Sequence, residues 1–235
     1  MRPQRFFSLL GISLVTVSTA PLASELSYTF IDFQYITQET DLGGVQQPVP
    51  SQIVGIQTDD GDGISVSGSV SFRDRYFISA NFKSAIIDLA GNITNPSVTT
   101  SVFDNFDFVN TSLGFGYIWE LSDNFDVYAE GMYETVDYDF GSFAGENFDT
   151  EEGGGGARVG FRWNPRPSFE LFAAARSSSI GKVNLNSFDY DNDASFRAGF
   201  FWYFFEDLGV GLDIDSGEVD TFTLSMRFSF GTLPW

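Results

Sequence analysis

The sequence contains no histidine and no cysteine, so any chemistry falls to carboxylates, guanidinium groups, lysine amines and hydroxyls. A Ser-His-Asp triad cannot be assembled, and thiolate chemistry and disulfide staples are excluded. What stands out is a set of charges in the middle of otherwise uncharged segments. The cations are Lys83, Arg158, Arg162, Arg176, Arg197 and Arg227; the anions are Asp32, Glu120, Asp126, Glu130, Glu134, Glu170 and Asp213. Such a set could supply an acid and a base, with Glu130 and Glu134 as a pair. It could fill an interior with ion pairs, or its excess of carboxylates could line a path for cations. A second candidate, Asp189-x-Asp191-x-Asp193, has the spacing of the first ligands in a Ca²⁺ loop. It lacks the glycine that should follow and carries Phe200 where the bidentate Glu belongs, so a solvated acidic face is expected there. Gly153 to Gly156 precede no Lys-Ser/Thr pair and lead into a strand, which is not a phosphate cradle. No metal or other cofactor is expected.

The segments that carry these charges alternate with period two, the strand period. In the last of them Phe222, Leu224, Met226, Phe228 and Phe230 share one parity, and Thr221, Thr223, Ser225, Arg227 and Ser229 the other. Ten such segments are predicted, over 26–38, 63–73, 76–88, 107–121, 125–139, 154–164, 168–180, 194–205, 208–215 and 220–230. Their length suits tilted membrane strands, which need about 9–11 residues. Short turns follow the second, fourth, sixth and eighth segments, and longer acidic links follow the first, third, fifth and seventh. That alternation predicts an all-β, closed antiparallel up-and-down transmembrane barrel of about ten strands, with eight as the alternative, and puts the short turns on the periplasmic side. Tyr117, Trp119, Phe125, Trp163, Phe169, Trp202 and Phe204 all lie beside short turns, where an interfacial aromatic girdle belongs.

Parity then assigns faces. Apolar residues such as Ile31, Phe33, Ile78, Phe82, Leu113, Phe115, Val159, Phe161 and Leu212 point outward, and the mid-strand charges point inward. Arg or Lys on a lipid face near the midplane costs about 2–4 kcal/mol, and the mid-strand cations all fall on the other parity. An inward set of both signs predicts a charge network in a narrow lumen, filling it or lining a pore.

Residues 1–23 read as a secretory signal peptide, with Arg2 and Arg5 before an apolar run and small residues up to Ala20 and Ala23, either of which could end it. The barrel domain would span 24–235. Formal charge is −20, which excludes nucleic acid as a partner, since phosphate binding needs clustered cations.

The stretch Leu26 to Tyr35 followed by Asp60 to Phe72 resembles the small outer-membrane β-barrel proteins of Gram-negative bacteria, the porin-family and OmpA-like barrels. Phe228 and Phe230 resemble the assembly signal of that class, although the chain runs five residues further, to Trp235. The resemblance implies export to the cell outer membrane, with membrane lipid, lipopolysaccharide and the barrel assembly machinery as partners. The expected role is that of a non-enzymatic barrel with a structural or surface-interaction function. A small cation-preferring channel is the alternative, and a carboxylate-based enzyme the more distant one.

Overall fold

The computed structural model describes residues 26–40, 45–49, 52–73, 75–95, 98–143, 146–180, 182–184, 189–191, 194–217 and 219–230. The expected signal segment and Asp193 lie outside the described residues. The strands are β1 (Phe30–Thr40), β2 (Val45–Val49), β3 (Gln52–Phe72), β4 (Tyr76–Asn95), β5 (Val98–Ser122), β6 (Phe125–Phe143), β7 (Glu146–Arg166), β8 (Phe169–Ser178), β9 (Lys182–Asn184), β10 (Asp189–Asp191), β11 (Ala194–Tyr203), β12 (Leu208–Ser216) and β13 (Val219–Ser229).

Ten of these close into a barrel. Hydrogen-bonded neighbours run β1-β13-β12-β11-β8-β7-β6-β5-β4-β3, and β1 also pairs with β3, which closes the ring. Every pairing is antiparallel. Closure leaves no open edge in the ring, the condition for a sheet to sit in lipid. The faces follow parity. Ile31, Phe33, Val66, Ile78, Phe82, Leu113, Phe115, Val159, Phe222 and Leu224 are exposed on the outside, while Asp32, Glu134, Glu170, Asp213, Thr223 and Arg227 are buried inside. This polarity is the inverse of a soluble barrel. Rings stack around the outside near the short turns: Phe72 on Tyr76 at 5.8 Å, Tyr117 against Trp119 at 4.9 Å, Phe169 on Phe200 at 5.5 Å and Trp202 against Phe204 at 5.1 Å.

The walls differ in height. β5 has 25 residues and β8 has 10, or roughly 85 Å against 34 Å at about 3.4 Å per residue. The predicted segments 63–73, 107–121 and 154–164 are therefore the lower parts of longer strands. Beyond them β3 continues against β2 and β4, β4 continues against β5 as far as Val98, and β6 and β7 continue as a separate hairpin. Parity gives no sign of this extension, because above the lipid neither face has to be apolar and the backbone ladder alone carries the strand. The acidic stretch Glu146 to Glu152, expected as a link, is part of β7, and the link around Asp189 holds the small β9–β10 hairpin.

Candidate functional site

The lumen is layered. At the short-turn end three inward rings from different strands meet. Tyr28, just before β1, lies 5.5 Å from Phe77 of β4 and 6.2 Å from Tyr128 of β6, and Phe77 and Tyr128 are 5.9 Å apart. Ile118 and Leu26 pack against them. These rings form an apolar floor, which strict polar-inward alternation does not anticipate.

Above the floor sits an ionic layer, held by strands β6, β7, β8, β11, β12, β13 and β1. Arg162 grips Glu170 through two bonds of 2.7 and 2.8 Å and donates a third, at 2.7 Å, to the Ser27 carbonyl. Arg227 grips Asp32 through two bonds of 2.8 Å and reaches Glu170 at 3.3 Å. Tyr203 donates to the same glutamate at 2.8 Å. The Arg227 guanidinium lies 4.0 Å from the Phe30 ring and 3.7 Å from that of Phe201, so its charge is held by two carboxylates and two aromatic rings. Higher up, Arg197 holds Asp213 at 2.7 and 2.9 Å. Arg176 holds Glu134 at 2.9 and 2.5 Å, and Ser178 donates to that carboxylate at 2.6 Å. Glu130 accepts from Arg158 at 3.3 Å and from Ser79.

Register explains which partners meet. Asp32 stands directly opposite Arg227, and Glu130 opposite Arg158. Arg158 also stands opposite Arg176, and that like-charge rung is relieved because each arginine takes a different glutamate of β6. Asp126 is opposite Arg162 and buried at the bottom of the lumen. Glu120, which shares the inward parity, lies beyond the floor and is exposed at the short-turn rim. Asp215, absent from the expected set although it shares Asp213's parity, lines the lumen as well.

Strands β3, β4 and β5 face this layer with Ser65, Ser67, Ser69, Ser79, Asn81, Asn110 and Ser112, and with one cation, Lys83. Two glycines make room for the large side chains. A Cβ at Gly114 would overlap the Glu130 carboxylate, and one at Gly116 would overlap the Phe77 ring. Between the walls lies a cavity of about 260 Å³, capped by Ile36, Ile87, Phe108, Val136 and Ile180. An open vestibule of about 570 Å³, lined by Glu39, Asp60, Asp62, Asp215 and Asp220 among others, lies at the long-link end. Gln38, Asp215 and Thr221 line both spaces.

Asp189 and Asp191 lie in β10, and among the described residues no cluster of three or more acidic side chains is arranged to hold a metal ion.

No family model matches this sequence, and no curated protein matches it. Among solved structures, the β-domain of the Bordetella autotransporter BrkA aligns over 87% of this chain and 99% of its own, at 12% identity and a TM-score of 0.46. An outer-membrane channel from Pseudomonas putida F1 aligns over 92% and 100%, at 12% identity and 0.45. The NanC porin aligns over 85% and 100%, at 8% identity and 0.44. Likeness at this level extends no further than the barrel. By its own ring of pairings and its inverted polarity, the molecule is a closed ten-stranded β-barrel of the transmembrane kind.

Proposed function

We propose that the chain is an integral outer-membrane barrel with a closed, non-conducting lumen, and that it serves a structural or surface-interaction role without enzymatic activity. The observation that carries this reading is the floor of Tyr28, Phe77 and Tyr128, which closes the lumen beneath arginines that are each bonded to a carboxylate. A path for ions would have to break both layers. Glu130 and Glu134, the carboxylates that an enzymatic reading would use, are tied to Arg158 and Arg176. The exposed apolar belt would face lipid and lipopolysaccharide, and the barrel assembly machinery would insert it.

The two rims suggest where a surface role would lie. At the short-turn end Arg73, Arg75 and Arg166 are exposed among Glu120, Asp123, Glu206 and Asp207. At the other end the side chains of Glu39, Asp60, Asp62, Asp88, Asp137, Glu151 and Asp220 are exposed. With short turns periplasmic, the acidic rim is the outer one.

The cavity and the acidic vestibule favour a second reading, a small cation-preferring channel. Single-channel recording on the refolded barrel in a planar bilayer separates the two. Silence from protein that migrates as a folded, heat-modifiable barrel supports the closed barrel. Steady cation-selective steps that shrink in Glu130→Gln or Glu134→Gln would replace it with the channel.

A further inference from the structure

Each of the five lumen arginines is bonded to a carboxylate at 3.3 Å or less. Lys83 differs. It stands on the hydroxyl-bearing wall, and no carboxylate among the described residues comes within ion-pair distance of it. Its ammonium is placed by a 3.4 Å hydrogen bond to Thr221 Oγ1 and by the Phe108 ring at 5.4 Å. An ammonium has three donors and no acceptor, so this contact leaves two donors to be filled.

Thr221 belongs to the neck that joins the cavity to the vestibule, together with Gln38 and Asp215. Gln38 is only 4% exposed, and its Oε1 is buried without a partner. Asp215 Oδ1 is likewise buried without a partner. Buried polar atoms are rarely left unfilled, and these two lie at one constriction beside a third acceptor, Thr221. The neck therefore offers three oxygens and at most one negative charge, which matches the donors and charge of one ammonium group. It lacks the several carboxylates that a hard divalent ion takes, and no such cluster occurs among the described residues.

We infer that the neck of Gln38, Asp215 and Thr221 is an ammonium site guarded in cis by Lys83, whose charge, held at Thr221, shuts the lumen to small monovalent cations drawn into the acidic vestibule. This rests on the closed-barrel reading and adds the residue that closes the outer entrance. The cavity lining supports it, since six cations face six carboxylates there. Losing Lys83 leaves one negative charge at the neck for a free cation to balance. It also strands no bonded carboxylate, so the barrel should still fold.

The test follows the heat-induced mobility shift of the refolded full-length barrel in methylammonium chloride, with tetramethylammonium at equal ionic strength as the control. Wild type should respond to neither salt, because the Lys83 charge beside the neck already balances Asp215 and repels a second cation. Lys83→Met should gain a saturable rise of a few degrees with methylammonium alone, as a ligand that binds only the folded state requires. Adding Asp215→Asn to Lys83→Met should abolish the rise. If Lys83→Met folds and responds no differently from wild type, the neck holds ordered water only and the inference is wrong. An equal rise in wild type would also overturn it, since Lys83 would then not be what keeps cations out of the neck. Conductance of the wild-type barrel tests the closed-barrel reading separately, so the failure of one can be told from the failure of the other.

Discussion

The two walls of the lumen face each other across one cavity and are built on opposite plans. Strands β6 to β8, β11 to β13 and β1 carry long ionised side chains that bond across to neighbouring strands: Arg162 of β7 to Glu170 of β8, Arg197 of β11 to Asp213 of β12, and Arg227 of β13 to Asp32 of β1. They add a side-chain ladder to the backbone one. Strands β3 to β5 carry serine, asparagine and glycine, and their inward groups make fewer and weaker contacts, such as Ser65 to Asn81 at 3.0 Å and Gln34 to Ser67 at 3.4 Å. The small wall gives the large one space. The difference teaches that a charge network can fill a barrel this narrow only if part of the ring gives up volume, which is what Gly114 does opposite Glu130, while Gly116 makes room for Phe77 of its own wall.

The largest effect is expected at the centre of the ionic wall. Arg227→Leu removes both bonds to Asp32 and one to Glu170. Breaking a buried pair from one side typically costs about 3–5 kcal/mol. The refolded fraction, read as the heat-modifiable band on a gel, should fall steeply. Arg158→Leu should be milder, because the Arg158 side chain is 30% exposed and holds Glu130 by one 3.3 Å contact. If Arg227→Leu refolds as well as wild type, the ionic wall is not what holds the lumen together.

The next effect tests inside against outside. Val159 neighbours Arg158 in sequence and is 56% exposed on the apolar face. Val159→Arg should cost about 2–4 kcal/mol in a bilayer and much less in a detergent micelle, where the headgroup boundary is close. Urea unfolding in lipid vesicles and in detergent would show the split. An equal cost in both would place Val159 outside the membrane band.

A smaller loss is expected from filling the space on the small wall. A methyl at Gly116 falls on the Phe77 ring of the floor, and overpacking of this kind costs about 1–3 kcal/mol. Gly116→Ala should lower the heat-modification midpoint, and Phe77→Leu in the same chain should recover part of it. No recovery would mean that the glycine serves the backbone rather than the ring.

The fold was largely legible because lipid enforces strict alternation. The ten predicted segments lie on the ten barrel strands, and the alternating link lengths pointed to an up-and-down ring. Three things were not legible. The strands run far past the predicted ends in β3 to β7, since no apolar face is demanded above the lipid and parity falls silent there. The pairing of the inward charges was equally hidden. Parity places Arg158, Arg162 and Arg176 inside, but which glutamate each meets depends on register, and one residue of slip would change every partner. Glu120 shows the limit of parity from the other side: it has the inward phase, yet it lies beyond the floor. The floor was missed because an inward Phe77 or Tyr128 breaks the polar-in rule. A usable signal was the recurrence of glycine at inward positions, at Gly114, Gly116, Gly160, Gly199 and Gly211, which marks where bulky neighbours intrude.

The smallest effect belongs to Ser67. Its hydroxyl takes one long bond from Gln34 and stands half-buried at the edge of the cavity. Ser67→Ala removes one neutral bond, and a bond of this kind contributes about 0.5–1.5 kcal/mol at most. The cavity lets Gln34 be solvated instead, so the loss should sit at or below the low end of that range, within error of wild type by heat modification. Ser71→Ala provides the contrast within the same strand. Ser71 is buried, its hydroxyl bonded to Thr29 Oγ1 at 3.0 Å. Ser71→Ala keeps only the backbone N–H bond to that oxygen at 3.1 Å and removes a buried bond that water does not replace, so its loss should exceed that of Ser67→Ala. Equal losses would mean that the cavity does not admit water. If Ser67→Ala cost as much as Arg227→Leu, the hydroxyl wall would be holding the barrel as firmly as the ionic one, and the division of labour between them would fail.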